Sequence, residues 1–204
     1  MIHIIDYGLG NIQAFITMYK RLGVATTRAQ SASDLRGAKK LILPGVGAFD
    51  YALQRLNDSG MREDIQTLVQ EESVPILGIC VGMQLLADRS DEGTLPGLGW
   101  VPGKVRSFSS NEGSKALPMP HMGWNDVVPK KAVGLFKGFG SDARFYFLHS
   151  YYYDCLGNAN VAATSQYGFE FHSSVERGNI YGVQFHPEKS HHWGAMLLKN
   201  FSDL

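Results

Sequence analysis

The chain has 204 residues, of which 44% are hydrophobic and 19% are charged, a composition typical of one globular domain with a sizeable core. The 19 lysine and arginine residues balance 19 aspartate and glutamate residues, so nothing in the charge indicates nucleic acid or an anionic membrane as a partner. The sequence has no signal-peptide pattern and no apolar run near the roughly 18 residues of a membrane span. Two cysteines are too few for a disulfide framework, so we expect a cytoplasmic protein. We also expect one domain over residues 1–204.

The first half of the chain predicts strands that alternate with helices. Short apolar strands are predicted over residues 2–6, 24–28, 40–43 and 75–79. Helical spacing of apolar residues is found over residues 12–22, 48–56, 61–72 and 81–87. This order predicts a parallel sheet with helices on both faces.

The second half has a different character, because its predicted elements are mostly strands. They cover residues 97–108, 122–128, 144–153, 161–166, 169–176 and 180–185. Tyr167 and Gly168 lie at a predicted hairpin turn, and residues 193–201 form a closing helix. We expect these strands to pair partly antiparallel and to extend the first sheet. The predicted fold class is therefore α/β, with a central, mostly parallel sheet, flanking helices and an antiparallel extension.

Residues 78–82 read Gly-Ile-Cys-Val-Gly and directly follow an apolar strand. This is the form of a nucleophile elbow, with Cys80 in the position of the nucleophile. Small neighbours allow a sharp strand-to-helix turn, and the backbone amides and dipole of the following helix favour a thiolate. Glycine–cysteine clusters also form simple tight turns, so the motif alone leaves both interpretations open.

A cysteine nucleophile needs a base and a group that orients the base. His186 and Glu188 offer both, because side chains two residues apart in extended backbone share a face. An isolated His-Pro-Glu is more often a strand-end histidine beside a solvated glutamate. In combination with Cys80, the sequence predicts a triad in the order Cys, His, Glu.

Residues 44–47, Pro-Gly-Val-Gly, end the strand that precedes the elbow strand. Ligands of open parallel sheets bind outside the carboxyl ends of the strands. A glycine loop there can turn N–H groups toward a developing oxyanion, together with the N–H of Val81. An ordinary turn is the alternative for this loop taken alone.

These elements together resemble the class I, or triad, glutamine amidotransferases. Further matches to signatures of that family lie at residues 7–11, 78–86, 121–125, 147–151 and 184–190. Most members carry two adjacent glycines after the proline of the oxyanion loop. The single Gly45 before Val46 and Gly47 is similar instead to the imidazole glycerol phosphate synthase subfamily.

The resemblance implies a set of roles. Cys80 would attack the side-chain amide of glutamine, and His186, oriented by Glu188, would protonate the ammonia and later activate water. The resemblance assigns glutamine binding and the oxyanion hole to Gly45, Val46, Gly47, Val81, Gln84, His149 and Ser150. It assigns the partner interface to Asn11, Trp124, Asn125, Tyr146 and Lys189. It implies no metal and no cofactor.

The resemblance also implies a partner, the (β/α)₈-barrel cyclase subunit of a heterodimeric synthase, which receives ammonia for histidine biosynthesis. Paralogues serve acetamidino-sugar formation, and residues 13–15 and 190–193 look less typical of the histidine enzyme. A stand-alone hydrolase and a non-catalytic binding module are further alternatives. The intact Cys80, His186 and Glu188 argue against the binding module.

Overall fold

The structure is a computed structural model that describes residues 1–131 and 133–204. The helices are α1 Ile12–Arg21, α2 Phe49–Asp58, α3 Arg62–Gln66, α4 Val81–Gln84 and α5 His191–Asp203. The first strands are β1 Ile2–Ile5, β2 Thr26–Ala29, β3 Lys40–Gly45, β4 Ile76–Cys80, β5 Arg89–Ser90 and β6 Gly103–Ser107. The others are β7 His121–Asp126, β8 Val128–Pro129, β9 Arg144–His149, β10 Tyr151–Cys155, β11 Val161–Gln166, β12 Glu170–Arg177 and β13 Ile180–Val183. Across the part of the chain that the structure describes, every helix falls short of the length and apolarity needed to cross a bilayer.

One large sheet organises the fold, in the order β2-β1-β3-β4-β13-β12-β10-β6-β5. Strands β2, β1, β3, β4 and β13 run parallel to one another. From β13 onward, β12, β10 and β6 continue the sheet with antiparallel pairing. The predicted α/β fold with a mostly parallel centre and an antiparallel extension is therefore confirmed.

The central parallel strands form where most consecutive residues are apolar, since both faces of the sheet are covered there, whereas the edge strand β2 is polar and partly exposed. Every residue of β1 and β4 is buried. Helix α2 buries Phe49, Ala52, Leu53 and Leu56, the spacing of one helical face. The register pairs Gly45 at the end of β3 with Cys80 at the end of β4. The oxyanion loop and the elbow are thereby neighbours at one edge of the sheet.

The helix predicted over residues 61–72 is α3 followed by a π-helical stretch over Thr67–Glu71. Helix α4 and the strand predicted over residues 97–108 are shorter than expected for a shared reason. Helix α4 has four residues instead of the predicted seven, and residues 97–102 are not a strand. The amides of Leu98, Trp100 and Gly99 donate to the carbonyls of residues 85, 86 and 87 at 2.8–3.0 Å. These carbonyls bind the 97–101 segment, so that segment ends the helix and is itself held out of the sheet.

The predicted strand over residues 144–153 is wrong, because it is two strands in two different sheets. Strand β9 pairs only with β7 in a small antiparallel sheet, whereas β10 pairs with β6 and β12 in the large one. The break falls at Ser150, whose carbonyl accepts the amide of Phe108 at 3.1 Å. The sequence here is rich in aromatic residues and contains no glycine or proline, so it gives no turn signal.

Candidate active site

The elbow at Cys80 is tight and strained. Cys80 has φ 56° and ψ −113°, a region that side chains other than glycine rarely adopt. A β-carbon on Gly82 would lie 1.9 Å from the carbonyl oxygen of Leu43, and one on Gly78 would lie 2.6 Å from that of Gly82. Both glycines of the predicted motif are therefore required by the passage of the chain.

His186 lies between Cys80 and Glu188. Its Nδ1 is 2.8 Å from Oε1 of Glu188, and its ring lines the same cleft as Cys80, whose Sγ is 3.9 Å from the carbonyl oxygen of Leu148. Burial lowers the pKa of His186, but its interactions with Cys80 and Glu188 outweigh burial and raise this pKa to about 10. The raised pKa keeps the His186 ring protonated beside the sulfur, and a buried carboxylate lies behind the ring.

A glutamine side chain that the sequence analysis missed also faces the sulfur. Nε2 of Gln184 is 3.7 Å from Sγ of Cys80, and Oε1 of Gln184 accepts Nε2 of Gln84 at 3.1 Å. Gln184 is fully buried at the end of the apolar run of β13. A single amide inside such a run was the available signal, since a buried polar group needs partners.

A cleft of about 280 Å³ opens over the thiol. It is lined by Val46, Gly47, Cys80, Val81, Gln84, Glu92, Pro120, Leu148, His149, Ser150, Tyr151, His186 and Lys189. All the residues expected to bind glutamine or an oxyanion are among them except Gly45, which lies beneath the surface against the amide of Gly82. The predicted residues therefore share one cleft, and their roles toward glutamine stay predictions.

The loop at residues 44–47, which is predicted to bind the oxyanion, is tightly packed at its base and open at its tip. The buried hydroxyl of Tyr7 donates to the carbonyl of Pro44 at 2.7 Å. A β-carbon on Gly45 would lie 2.6 Å from the amide nitrogen of Gly82, whereas one on Gly47 would meet nothing within 4 Å. Val46 is 42% exposed. Movement of this loop is therefore confined to its tip.

The ring of His149 is engaged inside the protein. Its Nδ1 donates to the carbonyl of Tyr151 at 2.7 Å, and its Nε2 lies 2.9 Å from Nδ1 of His121. Burial lowers the pKa of His149 to about 3. The ring is therefore a neutral part of the cleft wall whose two nitrogens are already occupied.

Glu92 was not predicted as a site residue, and it is the single acid among the described residues that line the cleft. Its Oε2 accepts the amide of Phe49, the first residue of α2, at 2.8 Å. The sequence places it in a short acidic, glycine-containing stretch without a motif, so no signal pointed to it.

Most residues expected at the partner interface meet beside the cleft. Trp124 is 40% exposed and packs edge-on against Tyr146, and Nζ of Lys189 lies 5.6 Å from the centre of the Tyr146 ring. His191 stacks on Trp124 with ring centres 5.3 Å apart. We call these four residues the aromatic surface.

The other two expected interface residues lie differently. The side chain of Asn125 points to the opposite face of β7 from Trp124 and donates to the carbonyl of Gln166 at 2.8 Å. Asn11 caps α1 by accepting the amide of Ala14 at 3.1 Å, and it shares a shallow groove with Glu188.

Metal-ligating side chains are not clustered in the described residues, where no group of three His, Cys, Asp or Glu could hold an ion. The second cysteine, Cys155, is buried, and burial raises its pKa to about 12, which keeps it a protonated thiol.

The fold and this site define a class of protein: the chain belongs to the class-I glutamine amidotransferase family, whose family model matches residues 3–203. It is 60% identical over 204 residues, the full length of both chains, to imidazole glycerol phosphate synthase subunit HisH of Bdellovibrio bacteriovorus. The subunit of the same name from Leptospira borgpetersenii is 45% identical, also over the full length of both. A solved glutamine amidotransferase structure superimposes with a TM-score of 0.77 at 22% identity, covering 99% of this chain and 97% of that one, which is a likeness of fold.

Proposed function

We propose that this chain is the glutaminase subunit of an imidazole glycerol phosphate synthase. It hydrolyses L-glutamine to glutamate and ammonia and passes the ammonia to a (β/α)₈-barrel cyclase subunit in histidine biosynthesis. The observation that carries the proposal is the buried Cys80–His186–Glu188 arrangement beside the 44–47 loop, in a chain so similar to HisH subunits.

In the first half-reaction, the Cys80 thiolate attacks the side-chain amide carbon of glutamine. A carbon–sulfur bond forms, and the carbonyl oxygen takes up negative charge. The N–H of Val81 and an N–H at the tip of the 44–47 loop stabilise that oxyanion. The raised pKa of His186 keeps its ring protonated, so it supplies the proton with which the amide nitrogen leaves as ammonia.

In the second half-reaction, the thioester is hydrolysed. Once sulfur is acylated, His186 has lost both its proton and the neighbouring negative charge of the thiolate. The pKa of the ring falls, and neutral His186 accepts a proton from an attacking water. Glutamate leaves, the proton returns the ring to its cationic form, and the thiolate is restored. Glu188 stabilises the imidazolium in both halves.

Glutamine is bound by the cleft that surrounds the thiol. Its side chain reaches Cys80 between the 44–47 loop and the wall formed by Gln84 and Ser150. Its α-ammonium group needs an anionic partner, and Glu92 is the acid on the lining surface.

The cyclase subunit docks on the aromatic surface beside the cleft. Exposed apolar side chains extend that surface to the loop tip, since Met122, Leu148 and Val46 are all exposed. Val46 belongs both to this surface and to the oxyanion loop, so docking and oxyanion stabilisation involve the same residue. The two buried free thiols suit a reducing compartment, which supports the cytoplasm as the location.

The proposal is tested by measuring glutamate release from glutamine by the purified chain. The chain is assayed alone, with an imidazole glycerol phosphate cyclase subunit and its nucleotide ligand from the same source, and with a sugar-amidinating synthase. We expect a low rate for the chain alone and a steep rise with the cyclase subunit.

Each other outcome has a clear meaning. Stimulation only by the sugar-amidinating synthase would replace the histidine pathway by the acetamidino-sugar pathway, an alternative prompted by the atypical His191 on the aromatic surface. Full activity without any partner, or activity on peptides, would indicate a stand-alone hydrolase. Absence of glutamine hydrolysis under all conditions would overturn the proposed chemistry.

A further inference from the structure

Two buried histidines and an asparagine form a chain of side-chain hydrogen bonds that the proposed mechanism does not use. Nδ2 of Asn125 is 3.2 Å from Nε2 of His121, and Nδ1 of His121 is 2.9 Å from Nε2 of His149. Nδ1 of His149 is 2.7 Å from the carbonyl oxygen of Tyr151. This relay, Asn125–His121–His149, runs from strand β7 to the cleft wall.

The direction of every hydrogen bond in the relay follows from its last acceptor. A carbonyl oxygen can only accept, so His149 carries its proton on Nδ1 and presents Nε2 as an acceptor. His121 must then donate from Nδ1, which leaves its own Nε2 as an acceptor. The amide nitrogen of Asn125 donates there and also to the carbonyl of Gln166 at 2.8 Å. One tautomer of each ring satisfies all these contacts.

The surroundings hold both rings neutral and fixed. Both are almost completely buried, and burial lowers the pKa of His121 to about 4 and that of His149 to about 3. His121 stacks between Tyr167 and Phe147, with ring centres 4.1 Å and 4.9 Å away. A neutral ring packed in this way is held in one orientation by its neighbours.

The relay ends where the substrate wall is made. His149 and Tyr151 flank Ser150, the point at which the chain passes from the small sheet to the large one. The Tyr151 carbonyl also accepts Nε2 of Gln84 at 3.3 Å. Gln84 in turn donates to Gln184, whose amide faces the Cys80 sulfur. The position of this carbonyl therefore sets the position of side chains on the wall of the cleft.

We propose that His121 and Asn125 are positioning residues for glutamine, acting through His149 on Ser150, Tyr151 and Gln84. The expected change in kinetics rests on the proposed glutaminase function. The tautomer assigned to each ring does not depend on that function. Disruption of the relay weakens glutamine binding more than the chemical step, because the triad itself is left in place.

The first test is the tautomeric state of the two rings in the full-length wild-type chain, read from ¹⁵N chemical shifts of labelled histidine. We expect both His121 and His149 to be protonated at Nδ1 and to show no titration above about pH 5.5, because burial favours the neutral form. A proton on Nε2 of His149, or titration of either ring near the ordinary histidine pKa, would overturn the relay. This readout needs no glutamine and no variant.

The second test compares His121→Phe with His121→Asn in the complex with the cyclase subunit. Phenylalanine keeps the stacked ring but removes the donor, and we expect the KM for glutamine to rise roughly tenfold with kcat lowered less than about threefold. Asparagine restores an N–H donor toward His149, so its KM should stay within about threefold of the wild type. The matched control is His172→Phe, since His172 is a half-buried histidine that accepts the amide of Cys155 outside the relay.

The outcomes separate this inference from the proposed function. Equal KM values for His121→Phe and the wild type, or equal effects of His121→Phe and His172→Phe, would overturn the positioning role while the glutaminase stands. If His121→Phe does not fold, Asn125→Ala removes only the first donor and leaves the other two hydrogen bonds of the relay in place. We then expect His121 to keep its proton on Nδ1 and the KM for glutamine to rise. A shift of that proton to Nε2 would contradict the relay, and an unchanged KM would overturn the positioning role. Absence of glutamine hydrolysis by the wild-type complex would refute the proposed function, and the tautomers would still be decided by NMR.

Discussion

The parallel and antiparallel parts of the molecule contribute differently to the candidate site. Strands β3, β4 and β13 are buried on both faces, and their carboxyl ends carry the 44–47 loop and Cys80 and lead to His186. Strand β7 alternates between buried and exposed residues and, with β9, forms a two-stranded ribbon that carries the aromatic surface. The proposed reacting groups thus lie at the ends of the most deeply buried strands, while the proposed docking surface lies on a ribbon with one face open to solvent.

The largest expected effect on activity comes from removal of the proposed nucleophile in the parallel part of the molecule. Cys80→Ala removes the attacking sulfur, and we expect partner-stimulated glutamate release to fall by roughly 10⁵-fold or more. Partner affinity, measured by titration calorimetry, should be retained. The matched control is Cys155→Ala, which removes the other buried thiol. Comparable loss in the control would show that the effect comes from the core and not from the nucleophile.

The next largest effect on activity is expected when the group that orients His186 is changed and the nucleophile is left in place. Glu188→Gln deletes the charge that helps to raise the pKa of His186, and we expect kcat to fall roughly 10³-fold. In the proposed mechanism the protonated ring delivers its proton to the amide nitrogen that leaves as ammonia, so the rate declines as pH rises through the pKa of His186. In Glu188→Gln that alkaline limb should move to lower pH. A pH–rate profile checks this, and an alkaline limb that stays in place would remove Glu188 from the triad.

A smaller effect tests the antiparallel part alone. Trp124→Ala removes the exposed ring that packs on Tyr146 and His191, and we expect affinity for the cyclase subunit to fall roughly 30-fold. The control is Tyr51→Ala, because Tyr51 is also an exposed aromatic residue but lies on α2. Binding isotherms that weaken equally for both variants would argue against the aromatic surface as the docking site.

The smallest expected effect concerns the wall of the cleft, where the parallel and antiparallel parts of the molecule meet. Glu92→Gln neutralises the acid on the cleft wall, and we expect the KM for glutamine to rise roughly tenfold with a minor change in kcat. Glu112→Gln, at an exposed glutamate, serves as the control. An unchanged KM would exclude Glu92 as the partner of the α-ammonium group.

The parallel part of the fold could be predicted from the sequence more completely than the antiparallel part. In the parallel part, continuous apolar runs and glycines with steric roles located the strands, the elbow at Cys80 and the loop at residues 44–47. In the antiparallel part, the aromatic run across Ser150 hid a passage between two sheets. No local pattern records that the carbonyls of residues 85–87 bind the 97–101 segment.

Residues of the candidate site that belong to no motif could not be predicted from the sequence, for a related reason. Gln184 and Glu92 are defined by contacts with residues about 100 and 43 positions away in the chain. The inward orientation of Asn125 depends on which face of β7 packs on His149, and the sequence does not state which face that is. Such contacts are properties of the assembled sheet.

The bond from Tyr7 to Pro44 limits how many internal degrees of freedom the oxyanion loop retains. With the Pro44 carbonyl held and Gly45 pressed against the Gly82 amide, the free torsions are essentially those on either side of the Val46–Gly47 peptide. Fixing one residue's backbone costs about 1–2 kcal/mol of conformational entropy, so a loop with two free residues is inexpensive to order. A modest contact at Val46 is enough to select one state of this loop from the few it has.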